Sequence, residues 1–409
     1  MNFLKKIFRG ISINVFILGM VSLLTDVSSQ MVFPLVPLYL TTVLGAKAVM
    51  VGVVEGAAET TASLIKVFSG YWSDKIKKRK PFVIAGYSLS ALTRPLFAIA
   101  TSWNFVLFAR VIERIGKGIR SAPRDAIVAE SVDPSNSGKA YGFHRAMDGI
   151  GSMIGAVLAF LLLPLLGYEK LFLYAFFPGA VAVFIILFVK EKKIGVSTKP
   201  LTMTIRSSFS ELPRNVKHYI LIAALFSLGH FGYSFILLSS HSVGISDNQS
   251  VKFYALFYLI YSLLSPVSGY LADKFGKKIV LIAGYLMFAL VAMGLVLIPS
   301  GMLGVFTDAE FIVLIFSLYG ICYALIDGTQ RAYIADMSPK HLKATALGAF
   351  HTAIGLVSLP GGFIAGWLWD HHSHNATYFF GFTLALLAVI LFIYQIKGQI
   401  SEPEHRTHH

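Results

Sequence analysis

Long apolar runs alternate with short polar connections along almost the whole chain, as in FVIAGYSLSALTRPLFAIA at 82–100 and IVLIAGYLMFALVAMGLVLI at 279–298. Each run is continuous, not dyad-patterned, and as a helix each can cross roughly 30 Å of hydrocarbon. The pattern predicts an all-α polytopic membrane protein and excludes a membrane barrel, whose strands alternate. Twelve spans are predicted, at 12–42, 47–72, 81–101, 104–130, 138–165, 170–190, 217–242, 248–273, 278–298, 308–337, 342–370 and 376–397. No small-residue cleavage site follows MNFLKKIFRG, so the first span reads as a retained helix and not as a signal peptide.

Composition agrees with that reading. Of 409 residues 56% are hydrophobic and 14% charged, against roughly a quarter charged in an average soluble domain. The single cysteine, Cys322, excludes an internal disulfide and lies in an apolar run, where packing explains it. A net charge of +14 could point to nucleic acid, but its distribution points to topology. Lys5, Lys6, Arg9, Lys75, Lys77, Lys78, Arg79, Lys80 and Lys139 fall on one side of the predicted arrangement. So do Lys190, Lys192, Lys193, Lys199, Arg206, Arg214 and Lys217, then Lys274, Lys277, Lys278, Lys340, Lys343 and Lys397. The alternate connections hold few cations, such as Lys47, Lys170 and Lys252. The positive-inside bias then predicts both termini cytoplasmic in an inner membrane.

The chain also repeats. GYWSDKIKKRKPFVIAGYSL at 70–89 matches GYLADKFGKKIVLIAGYLM at 269–287, and RDAIVAESVDP at 124–134 matches QRAYIADMSP at 330–339. The longest polar connection, 191–216, divides residues 1–190 from residues 217–409. Two parallel six-helix bundles with a solute path between them are the expected organisation.

On these residues the chain resembles the major facilitator superfamily over nearly its whole length. The family's motif Gly-x-x-x-Asp-Arg/Lys-x-Gly-Arg/Lys-Arg/Lys is complete as Gly269, Asp273, Lys274, Gly276, Lys277 and Lys278. The first copy has Gly70, Asp74, Lys75, Lys78 and Arg79, but Lys77 replaces the second glycine, which questions the tightness of that turn. The resemblance implies two pseudo-symmetric bundles of six helices, alternating access, and a cytoplasmic gate in which Asp74 and Glu130 answer Asp273 and Asp336. The first span, with Asp26 before Pro34 and Pro37, is similar to drug:proton antiporters. Span five departs from their motif, with Ala156, Ala159 and Phe160 where Pro, Gly and Gly belong.

The fourth span carries unusual charge. On a helix at about 100° per residue, Glu113, Arg114, Lys117, Arg120, Arg124 and Asp125 fall within about −80° to +60° of Arg110. Val111, Ile112, Ile115, Ile119, Ala122 and Ala126 take the other side. Pro123 removes an amide donor and predicts a bend. Charges inside a bilayer are costly and must face water or a partner. Two readings stand: a self-satisfying ionic scaffold, or a positively biased cavity in which Arg110, Arg114, Lys117, Arg120 and Arg124 bind an anion. Asp26, Glu55, Glu59, Glu113 and Asp148 are candidates for proton coupling, because conformational change can alter a carboxyl's dielectric surroundings and cation neighbours.

In the second half, Asp327 and Arg331, four apart, are expected to pair, and His230 and His351 to be packing residues. The outer His371, His372 and His374 are weak as a metal site. GKGIR lacks the Walker spacing and no nucleophile constellation occurs, so an enzyme is not expected. The expectation is a proton-coupled symporter or antiporter for a small organic anion or another polar or amphipathic solute, monomeric and without cofactor, metal or nucleic acid. A multidrug, toxic-compound or siderophore exporter is the alternative, and a transporter-like sensor the different class.

Overall fold

The computed structural model describes residues 12–132, 137–191, 211–297, 307–339 and 342–401. Lys5, Lys6, Arg9, Lys192, Lys193, Lys199, Arg206, Lys340 and most of the 191–216 connection lie outside the described residues. Among the described residues the secondary structure is helical, without strands.

Twelve spans follow one another. They are α1 (Ile13–Val43), α2 (Ala48–Ile76), α3 (Lys80–Leu92 continued by Arg94–Ala98) and α4 (Trp103–Glu130). Helix Ser137–Tyr174 is interrupted at Gly167 (φ 69°, ψ 177°), which ends α5; the stretch beyond it and Phe176–Ile186 form α6. Then come α7 (Arg214–Ser242), α8 (Asp247–Phe275), α9 (Lys277–Leu297), α10 (Asp308–Met337), α11 (Lys343–His371) and α12 (His374–Ser401). Breaks occur where the sequence removes or diverts backbone donors. A turn at Met31–Pro34 and a π-type segment, Tyr39–Val43, interrupt α1 around its two prolines. α4 stays helical through Pro123 to Glu130.

Two pairs of helices make the most extensive contacts between the halves. α2 lies against α11 so closely that a Cβ on Gly52 would sit 1.9 Å from the carbonyl oxygen of Gly362; only glycine permits that approach. α5 meets α8, with Ser262 Oγ 3.2 Å from the Cβ position of Gly149. Farther toward the end that carries the start of α1, the terminal end, the halves part. Of the α2 and α11 glycines that meet the other half, Gly355, against Ser63, lies farthest toward that end. Two turns on, Gly70 meets only Ala122 of its own half, and nothing among the described residues lies within 4 Å of the Cβ position of Gly348. The same holds for Gly142 and Gly269, two turns beyond Gly149 and Ser262. A seven-residue step returns nearly to the same helix face, so facing surfaces in contact at mid-depth are open below. The crevice between the halves opens at the terminal end and is closed at the far end.

The turns after α2 and α8 resolve the question raised by the motif's missing glycine. Gly276 has φ 94°, and Lys77 occupies the equivalent place at φ 57°, ψ 27°, the one non-glycine residue with positive φ among those described. A positive φ recurs at this place, but the two turns differ, with ψ 138° at Gly276 and a left-handed helical lysine at 77. Lys77→Gly is therefore expected to raise the thermal unfolding temperature of the purified protein, by about 1 kcal/mol of stability.

Candidate functional site

The charged stripe of α4 faces the interior, where its members separate into two groups. The first is buried. Arg110 Nη2 donates to Glu55 Oε2 of α2 at 2.9 Å, and Arg110 and Glu113 are both fully buried. Glu113 is the hub: Arg114 Nε lies 3.4 Å from it, and Arg110 and Arg94 approach at 3.7 Å. Arg94, from α3, donates to Ser29 Oγ at 2.8 Å and Ser28 Oγ at 3.2 Å. All three guanidinium groups stack on the ring of Phe33, at 3.7 Å for Arg110, 4.8 Å for Arg94 and 5.0 Å for Arg114. The ring quadrupole offsets part of the cost of burying them. Three cations face two carboxylates here, so the cluster keeps a positive excess.

Arg120 and Arg124 also find protein partners. Arg120 donates to Ser90 Oγ and lies over the Tyr87 ring at 4.6 Å. Arg124 donates to Asp125 at 2.8 and 3.0 Å and reaches Ser22 Oγ at 3.4 Å. Asp148 accepts from Ser22 and lies 3.5 Å from both His144 Nδ1 and Arg145 Nη1.

Lys117 differs. It shares the face of Arg110, two turns away, and lies midway along α4, yet it is exposed. That face points inward, so the exposure is to the crevice. Asp26 of α1, half-buried, and Glu59 of α2, exposed, are its charged neighbours, with Arg114 beside them. The opposite wall is aromatic. Gln30 of α1 donates to Tyr258 Oη at 2.7 Å and accepts from Tyr254 Oη at 2.9 Å, crossing between the halves and closing the crevice floor. Tyr258, Tyr261 and Tyr323 follow toward the mouth with centroids 5.3 to 6.1 Å apart. Tyr261 Oη donates to Asp327 at 3.1 Å, and Asp327 pairs with Arg331. Sequence reasoning missed Ser28, Ser29, Phe33 and Gln30 and gave Arg94 no role. A serine pair and an aromatic beside Pro34 were the available signals, but only the packing of α1 on α3 and α4 gives them meaning.

The residues expected to form a gate sit at the terminal end. Arg79, after α2, bridges Asp74 (2.9 Å) and Glu130 at the end of α4, and its amide donates to Glu191. Burial works against the Arg79 cation, but the hydrogen bonds it donates to Asp74 and Glu130, and their charges, outweigh it and raise its pKa above the usual arginine value. In the second half, Lys277 lies 2.5 Å from Asp336 and 3.9 Å from Asp273. Lys75 stands over the Trp72 ring at 5.6 Å, Lys274 over Phe275 at 5.3 Å, and Lys78 is exposed. Each copy thus ties an even-to-odd turn to the end of α4 or α10 within its own half.

Two helical bundles closing on a central crevice, each with the same charged turn motif at one end, are the architecture of a membrane transporter. The sequence profile described as Major Facilitator Superfamily matches residues 18–353 and 219–408, and the chain belongs to that superfamily. An uncharacterized MFS-type transporter of Methanocaldococcus jannaschii is 37% identical over 394 residues, covering 94% of this chain and 96% of that protein. Multidrug resistance protein MdtH of Photorhabdus laumondii subsp. laumondii is 23% identical over 392 residues, covering 93% of each. Among solved structures, a POT family transporter in complex with 5-aminolevulinic acid superimposes with a TM-score of 0.77 at 12% identity, over 96% of this chain and 97% of that one.

Proposed function

We propose that the protein is a proton-coupled secondary transporter that carries a small organic anion by rocking residues 1–190 against residues 217–409 about the 191–216 linker. The observation that carries the reading is Lys117, a cation exposed at mid-membrane in the crevice while the other α4 cations are held by protein groups. The solute's anionic end pairs with Lys117, at the edge of the Arg114 guanidinium and the positive excess behind it. Its apolar part lies along Tyr258, Tyr261 and Tyr323. Asp26 and Glu59 are the protonatable partners. Ionised, they balance the Lys117 charge across the crevice; protonated, they leave it to the solute, which couples proton uptake to solute binding. Both termini face the cytoplasm, as the positive-inside bias predicts, so the open mouth of the crevice faces inward. The protein acts as a monomer in the cytoplasmic membrane and is not an enzyme.

The test is reconstitution into sealed vesicles with an imposed pH gradient, using compounds chosen by ligand-induced thermal stabilisation. Accumulation of an organic carboxylate that collapses with the gradient supports the reading; accumulation indifferent to the gradient removes the coupling. Export of cationic or neutral drugs is the second reading, supported by the relative named as a multidrug resistance protein and by the exposed carboxylate Glu59. It predicts that Glu59→Gln abolishes stabilisation by lipophilic cations while Lys117→Gln does not.

The terminal gate contributes differently. Asp74→Asn should leave insertion and folding normal but slow uptake roughly two- to fivefold, the scale of about 1 kcal/mol for a partly exposed ion pair in a network. Unchanged uptake kinetics at normal expression would remove Asp74 from the gate.

A further inference from the structure

At the far end of the molecule the cap of α2 has an unexpected source. The helix begins at Ala48 after Lys47, whose side chain makes no cap hydrogen bond. No local side-chain oxygen serves its first amides, which every helix N-terminus leaves unsatisfied. The acceptor comes from the other bundle. Asp370, near the end of α11, accepts from the Ala48 amide through Oδ1 at 3.0 Å and from the Val49 amide through Oδ2 at 2.8 Å. Both carboxylate oxygens are used, and the negative charge meets the positive end of a 29-residue helix.

A second far-end carboxylate spans the same junction. Asp247, at the start of α8, accepts from Tyr168 Oη at 2.5 Å and from Thr42 Oγ1 at 3.2 Å, both in the first half. Its other oxygen lies 3.1 Å from Nδ1 of His241 in α7. The α2–α11 and α5–α8 contacts nearer mid-depth are mostly close packing of small residues, joined by a neutral hydrogen bond from Thr60 Oγ1 to the Gly355 carbonyl. The two aspartates make directional bonds that cannot survive separation of the far ends.

We propose that Asp370 is a gating residue of the transport cycle: it caps α2 in trans, ties the far mouth shut while the terminal mouth is open, and lets go when the far mouth opens. Asp247 is the second tie. This rests on the alternating-access reading but on no particular solute. Its physical consequence is an asymmetry between the two states. The far-open state leaves the first amides of α2 without their carboxylate, so the cap favours the conformation described above whenever no solute is bound.

Spin-label distances on the full chain in lipid nanodiscs test this. Ser102→Cys with His372→Cys reports the far mouth, and Ala129→Cys with Lys343→Cys the terminal mouth, each pair in a Cys322→Ser background. Asp370→Asn is expected to lengthen the far distance and shorten the terminal one, raising the far-open to far-closed ratio roughly tenfold, the effect of losing a charged cap. Asp247→Asn should move both distances in the same direction. Lys47→Ser then separates a gate from a merely structural cap, because it gives α2 a local oxygen. In the gate reading the Asp370→Asn, Lys47→Ser double variant regains thermal stability yet keeps the far-open distances. If it returns to the wild-type distances, or if Asp370→Asn alone leaves both pairs unchanged, Asp370 is a helix cap and nothing more. The readout needs no solute, so failure to find a transported compound leaves the outcome decisive.

Discussion

Glu113→Ala is expected to destabilise the purified protein by about 3–5 kcal/mol, the penalty for leaving a buried ion pair without one partner. The reason is its position as a hub. Arg94, Arg110 and Arg114 converge on its two oxygens at 3.4 to 3.7 Å, and Arg94 and Arg110 are fully buried. Glu55 holds only Arg110, so removing Glu113 leaves two guanidinium groups with serine hydroxyls and the Phe33 ring in place of a counter-charge. Glu113→Gln keeps the shape and loses the charge, so it should show most of the same loss. Glu59→Gln, at an exposed carboxylate, should stay within about 0.5 kcal/mol of wild type. Thermal unfolding of the three proteins in one detergent decides the matter. Equal unfolding temperatures for Glu113→Gln and Glu59→Gln would mean that the cluster is solvated and carries no structural burden.

The contrast between Glu113 and Glu59 marks the limit of what the amino-acid order discloses. The spans were legible because hydrophobic length is a local property: α10 runs from Asp308 to Met337, the bounds its apolar run predicts. The Asp327–Arg331 pair was legible for the same reason, since four residues on one helix fix its geometry. His230 was legible as a packing residue and lies 4.9 Å from the Phe288 ring with Tyr319 Oη 3.2 Å from its Nε2. The segregation of charge onto one face of α4 could be read from helical periodicity as well. What could not be read was which of those charges has a protein partner. Glu55 and Glu59 are one turn apart and of the same type, yet one meets Arg110 and the other is exposed. The difference is set by where α2 crosses α4, a tertiary fact with no local signature. Asp370 belongs with this group: its partners are amides more than three hundred residues away, and nothing in the bases of α2 or α11 taken singly points to them.

Lys117→Gln is expected to weaken binding of the anionic solute roughly ten- to hundredfold, the scale for losing a charged partner in a partly desolvated site. Unfolding temperature should change little, because Lys117 is exposed and joins no ion pair within hydrogen-bond distance among the described residues. That pairing of results is the informative one. The other α4 cations are welded to the scaffold by Glu55, Glu113, Ser90 or Asp125, so a loss of affinity on replacing any of them would be confounded by loss of fold. Lys117→Arg keeps the charge and should retain affinity within a few-fold. Asp26→Asn and Glu59→Gln, which remove the protonatable neighbours, should instead leave binding in place and abolish its dependence on the pH gradient. The measurements are ligand-induced stabilisation at several solute concentrations, and uptake into vesicles with and without the gradient. If Lys117→Gln binds the carboxylate as wild type does, the anion is held elsewhere and the crevice cation serves only to balance Asp26 and Glu59.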